Sequence, residues 1–134
     1  MRYLGIDYGT KRIGLAVSDL NGRLAFPKEV VKNNGELMRK IGEIISKEKI
    51  AEIVVGESLD FAGLPNILQK EIEFFISNLN RKFKLSTHRE KEFFTSVEAR
   101  RYEDKGTSVD ASAAALILQR FLDKKNSGNS QDII

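Results

Sequence analysis

Nineteen acidic residues occur in this 134-residue chain, and three of them stand at the ends of predicted elements that one sheet can bring together. Asp7 closes a first apolar strand, Glu92 lies just past the end of the last strand, and Asp110 heads the final helix. In open α/β sheets, ligands gather outside the carboxyl ends of the strands. Carboxylates that meet there repel one another unless protons or a cation relieve them. Oxygen donors without His or Cys suit Mg2+ or Mn2+. Two such ions, about 3.5–4 Å apart, can activate a water and stabilise the leaving oxygen of a phosphodiester. Each acid also has an ordinary use: Asp7 can shape the turn before Gly9, Glu92 can be a solvated charge, and Asp110 can be an N-cap.

The elements that must position these acids are legible from hydrophobic spacing. Residues 2–8 and 12–18 are apolar and β-rich, split by Gly9-Thr10-Lys11, which predicts a largely buried hairpin. Residues 23–31 follow the turn signal Asn21-Gly22 and predict a third strand, with Pro27 confining it to an edge or a bulge. Leu37, Met38, Ile41, Ile44 and Ile45 have helical spacing within 35–47. Residues 51–56 predict a short buried strand, and 57–65, with Gly63 and Pro65, a loop. Ile67, Leu68, Ile72, Phe75 and Leu79 predict a second helix, and Phe83 to His88 alternate as a strand. Thr95-Ser96-Val97-Glu98 fits a capping box opening a short helix. Ala111 to Leu122 predict a last helix with an alanine-rich face, and 124–134 a frayed polar tail.

The order β-β-β-α-β-α-β-α-α predicts one α/β domain over residues 1–123 with a mixed five-stranded sheet, followed by a flexible tail at 124–134. A three-strand meander comes first, and two later strands enter through helical crossovers and so run parallel.

Composition removes several alternatives. The chain has no cysteine and a single histidine, His88. Disulfides, thiolate metal sites and multi-histidine zinc sites are therefore excluded. No segment approaches the roughly 18 apolar residues of a membrane helix, and Met1-Arg2-Tyr3-Leu4 leads into a strand-like run instead of a signal peptide. A cytoplasmic protein without a membrane partner is expected. The net charge of +3 permits a nucleic-acid partner without requiring one. Lys11 and Arg12 sit in the hairpin turn beside Asp7, while Arg89, Lys91, Arg100, Arg101 and Lys105 crowd around Glu92. Such cations can contact phosphates, and they can equally form a solvated face balanced by Glu98, Glu103 and Asp104. Phe93 and Phe94 read as core plugs before base-stacking platforms, and His88 as a strand-end residue before a general base.

Taken together, these stretches resemble the YqgF family, a Holliday-junction-resolvase-like or pre-16S rRNA nuclease family with an RNase H-like fold. Residues 6–19, IDYGTKRIGLAVSD, resemble its opening hairpin closely. Residues 54–63 resemble its Val-Gly-Leu-Pro-Leu-Asn-x-Asp-Gly loop in part, keeping Gly56, Leu59 and Gly63. Residues 91–99 resemble its Asp-Glu-Arg-Leu-Thr-Thr-x-x-Ala segment. There Glu92 matches the glutamate, Lys91 replaces the aspartate, and Phe93 replaces the arginine. Residues 109–119 resemble its final helix, with Asp110 matching the late aspartate and Thr107 standing where a lysine is usual.

The resemblance implies that Asp7, Glu92 and Asp110 form a catalytic set holding Mg2+ or Mn2+, with two ions expected. Glu90, on the same strand face, is the fallback for Glu92. It implies a nuclease acting on structured nucleic acid, in 5′-end maturation of pre-16S rRNA during ribosome biogenesis, with ribosomal particles as partners. Resolution of branched DNA is the alternative. The lost arginine and lysine leave open a nucleic-acid-binding module that no longer cleaves. Kinship to the actin/Hsp70 ATPases, whose first phosphate loop also has Asp-x-Gly between two strands, is disfavoured because those proteins need two such lobes.

Overall fold

The computed structural model describes residues 1–58, 68–92 and 109–132, with backbone alone at 57, 58, 68, 92, 109, 110 and 128–132. Its elements are β1 (Arg2–Asp7), β2 (Arg12–Ser18), β3 (Ala25–Lys32), α1 (Leu37–Lys47), β4 (Ile50–Ser58), α2 (Leu68–Phe83), β5 (Ser86–Glu92) and α3 (Val109–Asp132). They build the expected mixed sheet in the order β3-β2-β1-β4-β5. β1 pairs antiparallel with β2 and parallel with β4, and β4 pairs parallel with β5. The carboxyl ends of β1, β4 and β5 therefore share one edge.

The two-residue period of a strand divides the core into two layers. Leu4 and Ile6 of β1 join Ile13, Leu15, Ile53 and Val55 under α1 and α2. The intervening Tyr3 joins Ala16 and Val54 under Ala114, Ala115, Ile117, Leu118 and Leu122 of α3. A central strand buried on both faces has to be apolar at nearly every position, which is why the opening run is so uniform.

Small residues let α3 lie close to the sheet. A Cβ added at Gly5 would stand 2.7 Å from Leu118 Cβ and 3.1 Å from the Ala114 carbonyl oxygen. The alanines at 111, 113, 114 and 115 are buried on the same helix, so the alanine-rich face expected from the sequence is the face that packs.

Pro27 lies on the edge strand β3, where the pairing to β2 slips: Leu15 opposes Glu29 while Ala16 opposes Pro27. The missing Pro N–H and the extra residue Lys28 coincide there, which combines both expected roles. The turn before β3 is held by Asp19, whose Oδ1 accepts the Arg23 and Leu24 amides at 2.8 and 3.2 Å.

β4 runs on to Ser58, into the stretch expected as a loop, and β3 spans Ala25–Lys32; two boundaries differ by more. Phe83 ends α2 and does not open a strand. It follows Leu79 by four residues, so it continues the buried helical stripe, and it packs over Gly42. Lys84, with φ 56, then breaks the helix, and the strand begins at Ser86. The chain after Leu122 is also no frayed tail from residue 124. α3 continues to Asp132; Lys124 Nζ meets Glu90 Oε2 at 2.5 Å, Lys125 donates to the Tyr3 hydroxyl, and Asn126 Nδ2 donates to the Gly22 carbonyl at 3.2 Å. The polar composition suggested a tail, but these side chains have partners on β5, β1 and the β2–β3 turn. No described helix is long and apolar enough to cross a membrane. Most of the 57–65 loop and the capping box at 95–98 lie outside the described residues.

Candidate active site at the carboxyl edge of the sheet

Asp7 is the last residue of β1, directly opposite Gly14 of β2. Alternation places it on the α3 face, in line with Tyr3 and Gly5. It is half-buried, and the neighbouring Gly14 carries no side chain to cover it. The turn that follows is tightly built. A Cβ at Gly9 would come within 2.4 Å of the Arg12 carbonyl oxygen. Asn33 pins the turn from outside: its Nδ2 donates to the Gly9 carbonyl and its backbone N–H to the Lys11 carbonyl, both at 2.9 Å.

Positions 92 and 110 arrive from other elements. β5 pairs in register with β4, so Gly56 opposes Glu90 and Ser58 opposes position 92, the last residue of the strand. Both 90 and 92 share the face of His88, whose ring lies against Phe121 of α3 with centroids 4.8 Å apart. On α3, position 110 precedes Ala114 by four residues. One helical turn rises roughly 6 Å and two strand residues roughly 6.6 Å. Ala114 faces Gly5, so position 110 is carried level with Asp7. The three acidic positions thus occupy one face and one end of the sheet.

The fallback acid is already occupied. Glu90 is 4% exposed and ion-paired with Lys124. A buried carboxylate held this way is committed to joining α3 to β5.

The cations divide between the two faces. Arg12 lies on the α3 face, in alternation with Gly14 and Ala16, and both it and Lys11 are exposed. Arg89 lies on the other face, where its guanidinium forks onto both carboxylate oxygens of Glu73 in α2. Lys91 shares that alternation and is exposed. The structure therefore does not bring Arg89 and Lys91 to the acids; sequence proximity to Glu92 could not show on which side of the strand they stand. Arg100, Arg101, Lys105, Phe93, Phe94 and Thr107 lie outside the described residues. His88 is mid-strand, where its Nε2 meets Glu52 Oε1 at 2.5 Å, so the expected strand-end placement is corrected. The register also sets a cation the sequence reading overlooked, Lys32, directly opposite Arg12.

Three carboxylates away from this edge anchor the frame. Glu73 is held below its ordinary pKa by the Arg89 fork, Glu48 by Lys28, and Asp19 by the Arg23 and Leu24 amides. A depressed folded pKa adds stability that is whole above the unfolded value and lost as pH falls through the folded one. The urea midpoint is accordingly expected to hold near neutrality and to decline from roughly pH 5 downward. Glu73→Gln should remove part of that decline, which urea titrations at stepped pH will measure.

Comparison with known proteins places the chain and its fold. A family model described as RuvX, Holliday junction resolvase, matches residues 1–124. A protein of Nitratidesulfovibrio vulgaris named "Putative pre-16S rRNA nuclease" is 36% identical over 132 residues, covering 91% of this chain and 93% of that protein. One of the same name from Lawsonia intracellularis is 35% identical over 141 residues, covering 98% and 99%. Among solved structures, T. thermophilus RuvC in complex with Holliday junction substrate aligns with a TM-score of 0.60 at 16% identity, covering 93% of this chain and 95% of that one. The Fowlpox virus resolvase in complex with substrate Holliday junction DNA aligns at 0.59 and 10% identity, covering 92% and 98%. At such identities the structural likeness speaks for the fold, which is RNase H-like.

Proposed function

This chain belongs to the RuvX Holliday junction resolvase family, the YqgF family that its motifs resemble, and from that premise we propose that it hydrolyses phosphodiester bonds of structured nucleic acid. The favoured substrate is precursor 16S rRNA, because relatives above 30% identity are named pre-16S rRNA nuclease, and its 5′ region is the part that the motif resemblance implies. Such a substrate puts the work in the cytoplasm, on ribosomal particles or their precursors. The observation that carries the reading is the placement of Asp7 at the carboxyl end of the central strand, with position 110 carried to its level and position 92 on the same face, one pleat repeat further along.

The donor set fits a hard divalent cation. The chain has no cysteine, and its one histidine is engaged by Glu52 and Phe121, so carboxylate oxygens are what this edge offers. Asp7, Glu92 and Asp110 would hold Mg2+ or Mn2+. Such ions would offset the charge of the phosphodiester and lower the pKa of bound water. The protein contributes positioning. β1 fixes Asp7, α3, seated against Gly5 through Ala114 and Leu118, carries position 110 one turn upstream, and the Asn33-pinned turn presents Lys11 and Arg12 to a phosphate backbone.

Glu92 is assigned over Glu90 because Glu90 already serves Lys124. Glu92→Gln is expected to cut metal-dependent cleavage by about 10²-fold or more with an unchanged urea midpoint. Glu90→Gln is expected to reverse the pattern, losing roughly 1–3 kcal/mol of stability while the folded enzyme keeps its rate within a few-fold. Exchanged outcomes would move the ligand to Glu90.

The direct test is incubation with a precursor 16S rRNA fragment and with a four-way DNA junction, each in Mg2+, Mn2+ or EDTA. Metal-dependent cutting of the rRNA fragment is the expected result. Cutting of the junction alone would transfer the substrate to branched DNA. Binding without cutting in any metal would replace the nuclease with a binding module, and would point to Phe93 and Thr107, where the family has arginine and lysine.

A further inference from the structure

The edge of the sheet where the parallel strands begin is basic. α1 and α2 deliver the chain to β4 and β5 there, through Lys49 and Lys84. Glu52 opposes Ser86 in the parallel pairing, which brings Lys84 close to the level of Ile50, next to Lys49. Lys47 and Lys82, from the last turns of the two helices, line one groove where Phe83 packs over Gly42. Arg81 precedes Lys82, and all five cations are exposed. None of the five is ion-paired with a described residue. The nearby acids are engaged elsewhere. Glu48 is bound by Lys28 and Arg2, with a weaker pull from Lys47, and Glu43 is bound by Arg39. Between Glu73 and Glu90 the sequence holds no carboxylate.

A cation in a last helical turn has an ordinary use against the helix dipole. That use does not explain Lys49 and Lys84. Both lie in the left-handed region, at φ 54 and 56, and among the described residues they are the two that do so without being glycine. Glycine adopts this conformation freely and lysine does not. Backbone strain of this kind collects at functional positions. Lysine is depleted in protein–protein interfaces, whereas it is a standard partner of phosphate oxygens.

Resting on the nuclease reading above, we propose that Lys47, Lys49, Arg81, Lys82 and Lys84 form a second nucleic-acid contact, which holds backbone phosphates of a structured RNA at a segment remote from the scissile bond. Arg2 pairs with Ile50 at one end of β1 and Asp7 stands at the other, so the two edges lie roughly 17 Å apart along the strand. The contact reads the charge and shape of the folded substrate and not base identity.

The test uses the whole chain and the precursor 16S rRNA fragment in EDTA, with binding followed by fluorescence anisotropy over a range of salt. Lys49→Gly and Lys84→Gly each remove a charge and supply the residue that suits the local backbone, so the Tm should hold. Each is expected to weaken binding roughly two- to fivefold. Each should also lower the slope of log K against log salt by about 0.7–0.9, the signature of one lost phosphate contact, and the double variant by about twice that. In Mg2+, the same variants should raise KM while kcat at saturating substrate stays near wild type, because this edge is far from the reacting atoms. Lys70→Ala, which removes an exposed cation at the other end of α2, controls for loss of bulk charge and should keep the wild-type slope. A wild-type slope and KM in the double variant, or an equal loss in Lys70→Ala, beside a wild type that binds and cuts, overturn the second contact alone. A wild type that neither binds nor cuts either substrate overturns the nuclease reading and the second contact with it.

Discussion

Asp7→Asn is expected to lower metal-dependent cleavage by about 10³-fold while nucleic-acid affinity in EDTA stays within about twofold. The substitution keeps shape and hydrogen-bonding capacity and removes one charge. Asp7 ends the strand that lies at the centre of the sheet, so its backbone is held by β2 at its own position and by β4 at the preceding Ile6. The carboxylate is therefore presented at a fixed place, and its loss cannot be repaired by a shift of the chain. A ligand contributes several kcal/mol of transition-state stabilisation through the ion it holds, and each 1.36 kcal/mol is tenfold in rate. On the proposed clustering of the three acids, neutralising one relieves repulsion, so the stability of the apo protein is expected to hold. Gel-resolved cleavage with Mg2+ and Mn2+, beside thermal unfolding of the same preparation, will separate the two effects. Wild-type cleavage by the folded variant would remove Asp7 from the catalytic set.

The second large effect is structural. Gly5→Ala is expected to destabilise the protein by about 1–3 kcal/mol, more than Gly56→Ala, although the added methyl at Gly56 makes the closer approach. At Gly56 the new Cβ would lie 2.4 Å from Ile117 Cδ1, the far end of a side chain that can rotate away. At Gly5 it would lie 2.7 Å from Leu118 Cβ and 3.1 Å from a helix carbonyl. Neither atom can move without the helix. α3 must lift from the sheet, and position 110 lifts with it, one turn upstream of Ala114. Cleavage by Gly5→Ala should therefore fall even where the variant remains folded, because about 1 Å of misplacement can cost 10²-fold. Denaturant midpoints of the two variants, paired with cleavage rates well below each Tm, test the ordering. A Gly5→Ala midpoint above that of Gly56→Ala would show that the close seat of α3 is not what holds position 110.

The hairpin and the mixed sheet were legible in the residues because each has a local cause. An uninterrupted apolar run means a strand buried on both faces. Glycine at 9 answers a carbonyl within 2.4 Å of any Cβ, and proline at 27 requires an edge or a bulge. The strand predicted from Phe83 failed because Phe83, Leu85 and Thr87 alternate by two while Phe83 also continues the helical stripe of Leu79. A short segment satisfies both periods, and packing over Gly42 decided between them. The polar stretch after Leu122 looked like a tail because composition counts solvation and not partners. Glu90, Tyr3 and Gly22 supply those partners from distant parts of the chain.

What the amino-acid order determined by itself was the main elements and the absence of sulfur donors, and it nominated the acids proposed above, since these depend on residue type and on neighbours within a turn or a strand. The tertiary structure alone decided which face each charge occupies. A strand turns its side chains over at every residue, so Arg89 and Glu90 are adjacent in sequence and lie on opposite sides of the sheet, one bound to Glu73 and the other to Lys124. Arg12 and Lys32 are far apart in sequence and directly opposite in space, because register is set where two strands pair and neither strand carries it alone.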